Sequence, residues 1–335
     1  MAVEFTVGIP THNRRETVLL AVASALEQTR SPTRICVVAD GCSDGTVEAV
    51  RALGDERLEV LDRVKGPGYG YAHRNEVLER AGNGVVAWLG DDDLWLPDHL
   101  ERAGELLDAG FAGIVNSMAC LVTEDGSLRP CGAHWRAPTY RDRFLSDENR
   151  TPSGAVSHRA ADARAVGGWV DDVGRAGDWD LWKRIVRSGA PSEAVLTPTM
   201  LFFRSTGRTQ AWSDRVGQNT EFLARIRDPD QLACLRAEIA FAWGAEAHRV
   251  ETAFSHALAR GNSYEHQLEA TRAELEATRS ALDATEAERE RLSTTLNDLT
   301  TGSWWRLRRP FEPALRLRRR LLSHRQSSRG DHPAS

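Results

Sequence analysis

Short apolar runs alternate with helical patterns along the first half of the chain. Three of these runs are rich in β-branched residues and are bounded by Gly, Pro, Asp or Asn, as buried strands are. Helical spacing separates them, with Val18, Val22 and Leu26 on one face of the first helix. This alternation predicts an α/β fold with a doubly wound, parallel sheet. The predicted strands occupy residues 4–9, 34–39 and 84–89.

The alternation continues to residue 205, where we place the end of the globular domain. Residues 94–97 (LWLP) are predicted to start the helix that follows the third strand, and this helix ends near Gly110. Residues 130–152 are rich in Pro and Arg and predict an irregular loop. The remaining predicted elements are strands over residues 112–123, 154–159 and 199–204 and a helix over residues 178–189.

Helical sequence continues beyond the predicted domain, 1–205. Residues 206–262 predict a helical extension, and residues 263–300 are almost entirely Glu, Ala, Arg, Leu and Thr. Leucines keep a heptad register there, but Arg289 interrupts it and threonines fill much of the neighbouring seam. A long helix is therefore predicted, and a coiled-coil homodimer through residues 264–300 is the alternative. The leucines in register are Leu268, Leu275, Leu282 and Leu296.

Residues 301–335 form a basic tail on an acidic chain. The formal net charge of the whole chain is −5, whereas residues 302–335 hold nine Arg and two acidic residues, a balance of +7. Trp304, Trp305 and apolar residues at helical intervals accompany the arginines, which is the composition of an interfacial helix on anionic lipid. We therefore expect contact with an anionic membrane surface. A disordered tail and, least favoured, a nucleic-acid patch are the alternatives.

The sequence gives no sign of secretion or of a membrane span. Its first residues lack the basic and long apolar segments of a signal peptide, and no run of about 18 apolar residues occurs. The five cysteines have neither metal-binding spacing nor the pattern of a disulfide framework. We expect a cytoplasmic protein that contacts the inner face of the cell membrane peripherally.

Polar residues follow each of the three predicted strands. Thr11 comes after the first strand, Asp40 after the second, and Asp91, Asp92 and Asp93 after the third. Ligands of an open parallel sheet bind beyond the carboxyl ends of its strands. These residues are therefore candidates for a single site, although they are far apart in sequence.

Three adjacent carboxylates repel one another unless positive charge neutralises them. A hard divalent cation prefers oxygen ligands, and in an extended segment Asp91 and Asp93 point to one side and Asp92 to the other. Asp91 and Asp93 are therefore the predicted metal-facing pair, and Asp92 has no assigned role. The alternative is a helix N-terminus beside Pro97, where acidic side chains accept backbone N–H groups. That alternative explains one or two aspartates but not three.

Five segments in series resemble a family 2 glycosyltransferase of the GT-A fold. They occur in the family's order, and the resemblance covers residues 3–205. It implies a GT-A type, Rossmann-like sheet that is doubly wound, mixed and mostly parallel, followed by the helical C-terminal extension. The segments are VGIPTHNR (7–14), VVADGCSDGT (37–46), AHRN (72–75), WLGDDDLWLPDHLE (88–101) and GGWVDDVGRAGDWDLWKR (167–184).

The resemblance assigns roles to individual positions. It implies that Thr11 and Asp40 lie against the nucleoside, that Arg74 holds the nucleotide, and that Asp178 is the catalytic base. From the residues alone two other interpretations stay open. Asp178 and Asp180 open a helix, so either can be only a cap or dipole partner, and Arg74 can be a solvated helix residue.

By the same resemblance, Asp91 and Asp93 hold a divalent metal, Mn²⁺ or Mg²⁺, on the donor diphosphate, and Asp91 also contacts the nucleotide. Three departures from the family's pattern stand out. Ala39 stands where many relatives carry an acidic residue, and Gly177 stands where many carry Glu. FFRSTGR (202–208) lacks the His that relatives often carry after the last core strand, so no third protein ligand is named.

These residues permit displacement at the anomeric carbon of a nucleotide-sugar. A metal stabilises the departing diphosphate, a carboxylate takes the proton of the acceptor hydroxyl, and the anomeric carbon inverts. The expected function is therefore inverting, metal-dependent sugar transfer from a UDP- or dTDP-linked rather than GDP-linked donor, in polysaccharide or glycolipid assembly. A metal-dependent nucleotidyltransferase is the first alternative, although PTHNRR (10–15) lacks a Gly-rich phosphate loop. A coiled-coil scaffold with an inactive transferase domain is the second.

Overall fold

The computed structural model of the protein describes residues 2–131, 135, 138–174, 176–203, 212–259 and 265–301. Within these ranges the chain forms a mixed sheet with helices on both faces. The strands are β1 (Phe5–Thr11), β2 (Arg34–Asp40), β3 (Leu58–Arg63), β4 (Val85–Trp88), β5 (Leu94–Trp95), β6 (Ile114–Val122), β7 (Leu128–Cys131), β8 (Val156–Arg159) and β9 (Ser192–Phe203). The helices are α1 (Arg15–Leu26), α2 (Thr46–Arg51), α3 (Asn75–Arg80), α4 (His99–Asp108), α5 (Pro138–Ser146), α6 (Ala160–Ala165), α7 (Gly177–Arg187), α8 (Trp212–Arg227), α9 (Pro229–Ala259) and α10 (Glu265–Thr301).

The sheet has the strand order β3-β2-β1-β4-β8-β6-β9-β5, and β7 pairs with β6. Strands β3, β2, β1 and β4 are parallel neighbours, and their register places Thr11 opposite Ala39. The carboxyl ends of β2, β1 and β4 therefore meet at one edge, as the sequence predicts. Pairings beyond β4 include antiparallel ones, which makes the sheet mixed.

Side chains of the parallel strands alternate between two cores. Ile35 and Val37 of β2 pack on the face that α1 and α4 cover. Cys36 and Val38 pack on the opposite face, together with residues of α3, α6 and α7. Because helices cover both faces, the central strands β1, β2 and β4 are mostly apolar and buried. The predicted doubly wound α/β arrangement is confirmed.

The segment after the aspartates differs from the prediction. Leu94 and Trp95 form β5 instead of starting a helix, and they pair antiparallel with Leu201 and Met200 of β9. The helix begins only at His99. Tertiary pairing with a distant strand overrides the local helix-start signal here, so the aspartates lie in a turn between two buried strands.

Two further elements differ from the prediction. Residues 130–152 are not wholly irregular, because β7 extends to Cys131 and α5 spans Pro138–Ser146. Strand β3 was not predicted at all. It lies at an edge of the sheet and is only partly buried, so its sequence, LEVLDR, lacks a continuous apolar run.

The helices after residue 212 share a core with the sheet. Phe222 and Leu223 of α8, together with Leu235 and Trp243 of α9, pack against β5, β6 and β9. Helix α10 packs along α9, where Ala281 and Thr285 are buried. This long helix agrees with the predicted one, whereas a coiled coil is not shown. The domain boundary and the homodimer stay predictions, and the basic tail lies outside the described residues.

Among the described helices, none is both long and apolar enough to cross a membrane.

Truncation of Phe222 tests whether α8 belongs to the same folding unit as the sheet. Its buried ring meets Phe203 of β9 edge-to-face at 5.6 Å, so Phe222→Ala should lower the free energy of unfolding by about 3–5 kcal/mol. The matched control is Phe241→Ala, because Phe241 is 53% exposed and should change stability by about 0.5 kcal/mol or less. Chemical denaturation followed by far-UV circular dichroism measures both. An early separate transition in Phe222→Ala, with the sheet unaffected, would contradict a shared unit.

Candidate active site

Four predicted site residues, Thr11, Asp40, Asp91 and Asp93, lie at the common carboxyl edge of β1, β2 and β4. Thr11 ends β1 and Asp40 ends β2, and both are buried. The aspartates follow β4, which is the other neighbour of β1. Arg14 joins two of these strand ends, because it lies just after β1 and its guanidinium reaches the aspartates. The predicted convergence at one sheet edge is therefore found.

The three aspartates do not alternate as an extended segment would. Asp93 N donates to the carbonyl of Gly90 at 3.3 Å, so the segment is a tight turn. Arg14 Nη1 lies 2.6 Å from Asp91 Oδ1 and 3.2 Å from Asp92 Oδ2. The carboxylates that converge on one cation are therefore those of Asp91 and Asp92.

Asp92 and Asp93 have different partners beyond the turn. Arg215 of α8 donates to Asp92 Oδ2 at 2.6 Å, and the Asn219 side chain donates to the Asp92 carbonyl at 2.9 Å. Asp93 is turned inward, where its Oδ1 accepts the backbone N–H of Phe203 at 3.0 Å. Asp92 thus belongs to the charged cluster, while Asp93 links the turn to the end of β9.

The cluster remains short of positive charge. Burial, followed by repulsion from Asp92, raises the pKa of Asp91 to about 6. Burial raises the pKa of Asp93 well above its ordinary value, and Asp92 and Asp91 add to this effect. Arg14 and Arg215 act in the opposite direction without cancelling it. Carboxylates in this state fit a further cation.

Asp40 is already bonded to its own chain. Its carboxylate accepts hydrogen bonds from the ammonium of Lys65 and, at 2.7 Å, from the backbone N–H of Gly66. Burial alone would raise the pKa of Asp40, but these two bonds hold it below its ordinary value. Gly70 has a φ of +61°, and a Cβ there would lie 2.5 Å from the Asp40 carboxyl group. The glycine-rich turn therefore packs directly on this carboxylate.

Arg74 is a half-buried cation whose Nε is fully buried, and no ion pair joins it to any of the described residues. Its guanidinium lies 4.4 Å from the ring centroid of Tyr71 and 4.8 Å from that of Trp169. Within the part of the chain that the structure describes, its Nε has no hydrogen-bond partner. Burial lowers the pKa of Arg74, and the negative charges of Asp178, Asp91 and Asp40 oppose this shift. Arg74 therefore lies among three other predicted site residues.

Asp178 occupies the first turn of α7 beside this cation. Its Oδ1 accepts the N–H of Trp179 at 2.7 Å, and the helix has no side-chain N-cap bond. Burial raises the pKa of Asp178, while that N–H and Arg74 act to lower it. Asp180 differs, because it forms an ion pair with Arg184 one turn along the helix. Of the two acidic residues, Asp178 is the one available for proton transfer.

Sequence reasoning did not single out Arg14, Arg215 or Lys65 for the site. Arg14 lies in the loop that follows the first predicted strand. Lys65 follows β3, which was not predicted, but it is one of only two lysines in the chain. The scarcity of lysine could have drawn attention to Lys65. No sequence signal marked Arg215, because it lies in a helix beyond the predicted domain and reaches the site only through tertiary packing.

A doubly wound sheet with a polar carboxyl edge is the architecture of nucleotide-binding α/β domains. Comparison with known families is more specific. The model for "Glycosyl transferase family 2" matches residues 6–164, and this part of the chain belongs to that family. The mixed sheet and the C-terminal helices agree with the expected GT-A type.

Curated relatives match over part of their length. The chain is 35% identical over 129 residues to the succinoglycan biosynthesis protein ExoO of Rhizobium meliloti, which covers 38% of this chain and 36% of that protein. It is 31% identical over 96 residues to the UDP-Glc:alpha-D-GlcNAc-diphosphoundecaprenol beta-1,3-glucosyltransferase WfgD of Escherichia coli, covering 29% and 38%. The chain therefore matches little more than a third of either relative.

A solved structure shows the same fold. The crystal structure of S. aureus TarS in complex with UDP-GlcNAc matches with a TM-score of 0.50 and 15% identity, covering 71% of each chain. At this identity the likeness concerns the fold alone.

Replacement of Arg74 separates a ligand-binding cation from a core residue. Arg74→Met removes a buried charge but keeps a long side chain, so the ligand-free protein should gain roughly 1–3 kcal/mol of stability. The same variant should bind nucleoside diphosphates at least about tenfold more weakly, since charge-assisted bonds are lost. Thermal unfolding and equilibrium binding measure the two effects.

The control for this experiment is Arg80→Met, which removes a surface arginine paired with Glu59. It should change stability by about 1 kcal/mol or less and leave nucleotide affinity unchanged. If Arg74→Met instead melts earlier and binds nucleotide normally, Arg74 is a structural residue.

Proposed function

We propose that the protein is an inverting, metal-dependent glycosyltransferase that moves a sugar from a nucleotide-diphosphate sugar to an acceptor hydroxyl. The membership of residues 6–164 in glycosyl transferase family 2 supports the reaction class. The site supports the roles of individual residues. Thr11 and Asp40 lie on the nucleoside side, Arg74 and Asp91 hold the diphosphate, and Asp178 is the base.

The observation that carries this proposal is the half-buried guanidinium of Arg74, whose buried Nε has no hydrogen-bond partner among the described residues. A buried charge is unfavourable unless a charged or hydrogen-bonding partner compensates it. Three carboxylates lie near enough to influence Arg74, yet within the described residues none forms an ion pair with it. A bound diphosphate supplies the missing anion. Arg74 then donates to the leaving group, whose negative charge grows as the glycosidic bond breaks.

The base of the proposed reaction is Asp178. Its buried carboxylate has a raised pKa, which makes it a stronger proton acceptor than an exposed aspartate. It accepts the proton of the acceptor hydroxyl while that oxygen attacks the anomeric carbon. Arg74, next to it, favours the charged form of Asp178 before transfer and holds the departing phosphate afterwards.

The residues after β4 fit a divalent cation by ligand type and by charge. They are carboxylates, and burial followed by repulsion from Asp92 raises the pKa values of Asp91 and Asp93, so a bound cation would stabilise their charged forms. Within the described residues no three His, Cys, Asp or Glu side chains are grouped to hold a metal alone, so the remaining ligands would be diphosphate oxygens and water. When bound, Mn²⁺ or Mg²⁺ supplies Lewis-acid stabilisation of the leaving group.

The sequence pattern pairs Asp91 with Asp93 at this metal. The contacts favour Asp92 as the second carboxylate, because Asp91 and Asp92 already share the Arg14 cation. One carboxylate oxygen of Asp93 already accepts the backbone N–H of Phe203. We therefore propose Asp91 and Asp92 as the metal-holding pair, with Asp93 positioning the turn.

The donor we propose is UDP- or dTDP-linked, and the acceptor belongs to polysaccharide or glycolipid assembly. The names of two relatives support this: WfgD is described as using UDP-Glc and ExoO as a succinoglycan biosynthesis protein. A peripheral position at the membrane rests on the composition of the basic tail alone.

Substitution of Asp178 tests the base. Asp178→Asn should bind UDP or dTDP with Mn²⁺ as the wild type does, but should turn over about 10²–10⁴-fold more slowly. Because the pKa of Asp178 is raised, wild-type kcat should fall with decreasing pH at a higher pH than for an ordinary aspartate, as the base becomes protonated. The matched control, Asp180→Asn, removes only the helix pair with Arg184 and should keep turnover near the wild-type rate.

These measurements use the full chain, and a nucleotide at 100 times its dissociation constant adds about 2.7 kcal/mol of stability, which a thermal shift detects. Normal turnover by Asp178→Asn eliminates it as the base. Failure of the wild type to bind any nucleotide with Mn²⁺ supports the inactive scaffold instead.

Comparison of Asp92→Asn with Asp93→Asn identifies the second metal carboxylate. Asp92→Asn should weaken Mn²⁺-dependent UDP binding by at least about tenfold, since even outer partners of a metal site matter that much. Asp93→Asn should keep binding and raise the melting temperature, because an amide oxygen still accepts the Phe203 N–H without a buried charge. The opposite pattern would return the assignment to Asp91 and Asp93.

A further inference from the structure

We propose that Tyr71 is a positioning residue for the catalytic base. Its ring, packed against Gly177, sets where α7 begins and hence where the carboxylate of Asp178 lies relative to Arg74. This inference rests on the proposed function, because it concerns the geometry of the same reaction. The role acts through Gly177 and Arg74, and Tyr71 itself takes no part in the bonds that change.

The contact between Tyr71 and Gly177 is close and specific. A Cβ added to Gly177 would lie 2.5–2.6 Å from three atoms of the Tyr71 ring. Gly177 is the first residue of α7 and does not have a positive φ, so its backbone is one that alanine adopts readily. The requirement for glycine therefore comes from the ring and not from the backbone.

Tyr71 cannot simply move aside, because its turn is tied to the segment before α7 on both sides. The N–H of Ala72 donates to Asp171 Oδ1 at 2.9 Å. Asn75 forms two bonds with the backbone of Trp169: its Nδ2 donates to the carbonyl at 2.9 Å, and its Oδ1 accepts the N–H at 2.8 Å. The turn 71–75 and the segment 169–171 therefore behave as one unit.

The same turn carries Arg74. The guanidinium lies against the rings of Tyr71 and Trp169, which are themselves parallel to within 8° at 5.7 Å. The cation that holds the leaving group and the ring that abuts Gly177 are thus three residues apart on one fixed turn. A displacement of about 1 Å between reacting groups is enough to cost about 100-fold in rate. This turn is what keeps the base and the diphosphate at a constant separation.

An alanine at position 177 tests the inference. Gly177→Ala should lower kcat by about 10- to 100-fold, and the dissociation constant of UDP with Mn²⁺ should stay within about twofold, since no nucleotide contact is removed. The acid limb of the kcat–pH profile should also shift, because the surroundings of Asp178 change. The matched control is Gly217→Ala in α8, where an added Cβ meets nothing within 4 Å among the described residues; its kcat should equal that of the wild type.

A second background makes the test specific to Tyr71. In Tyr71→Ala, the atoms that the new methyl group meets are gone, so adding Gly177→Ala should change kcat little beyond the effect of Tyr71→Ala alone. Tyr71→Leu, which lacks the flat ring, takes the place of Tyr71→Ala if the latter does not fold. Positive coupling between the two positions in kcat, with none in nucleotide affinity, is the expected result.

Three results would overturn the inference. The first is wild-type kcat in Gly177→Ala, and the second is an equal fold-loss in both backgrounds. The third is a parallel loss of kcat, nucleotide affinity and thermal stability, which indicates a general structural role. Failure of the proposed function is recognised separately, because the wild type then neither binds nor turns over any nucleotide-sugar, and the positioning role falls with it.

Discussion

The organisation of the site depends on a guanidinium that lies largely inside the fold and forms no ion pair with the described residues. Arg74 is held by two aromatic rings, and no ion pair to it occurs among the residues that the structure describes. Aromatic faces attract a cation, but they do not replace the hydrogen bonds that water would provide. The surrounding elements must therefore keep the cation in place and leave room for an anion. The turn 71–75, the loop before α7 and the aspartate turn all serve that constraint.

The aspartate turn after β4 has the opposite imbalance, which is an excess of negative charge. The turn after β4 holds three carboxylates against Arg14 and Arg215, and burial together with repulsion between the aspartates raises the pKa values of Asp91 and Asp93. Neither these carboxylates nor Arg74 are fully compensated among the described residues. In the proposed reaction, a divalent cation and a diphosphate would supply the missing charges. Charges prepared in this way would favour binding at the expense of the stability of the ligand-free protein.

The sequence was sufficient for three of the four parallel strands and for the edge at which Thr11, Asp40 and the aspartates meet, because the alternation of strands and helices follows from periodicity. It was not sufficient for the direction of each carboxylate. That direction depends on β5, a two-residue strand whose partner lies a hundred residues away. The contact between the Tyr71 ring and Gly177 could not be predicted either, because it also joins segments that are far apart in sequence. Composition pointed to residue types, whereas contacts across the fold decide which atoms face the ligand.

The glycine-rich turn over Asp40 has a consequence for chemical labelling. Lys65 and Lys183 are the only lysines in a chain that otherwise uses arginine for positive charge. One ammonium contacts Asp40 and the other lies 3.9 Å from the ring centroid of Trp179. An amine-selective reagent therefore has two side-chain targets, one just after β3, in contact with the end of β2, and one on α7. The ratio of the two lysine reactivities therefore reports whether a ligand covers the sheet edge around Lys65, with Lys183 as the internal reference.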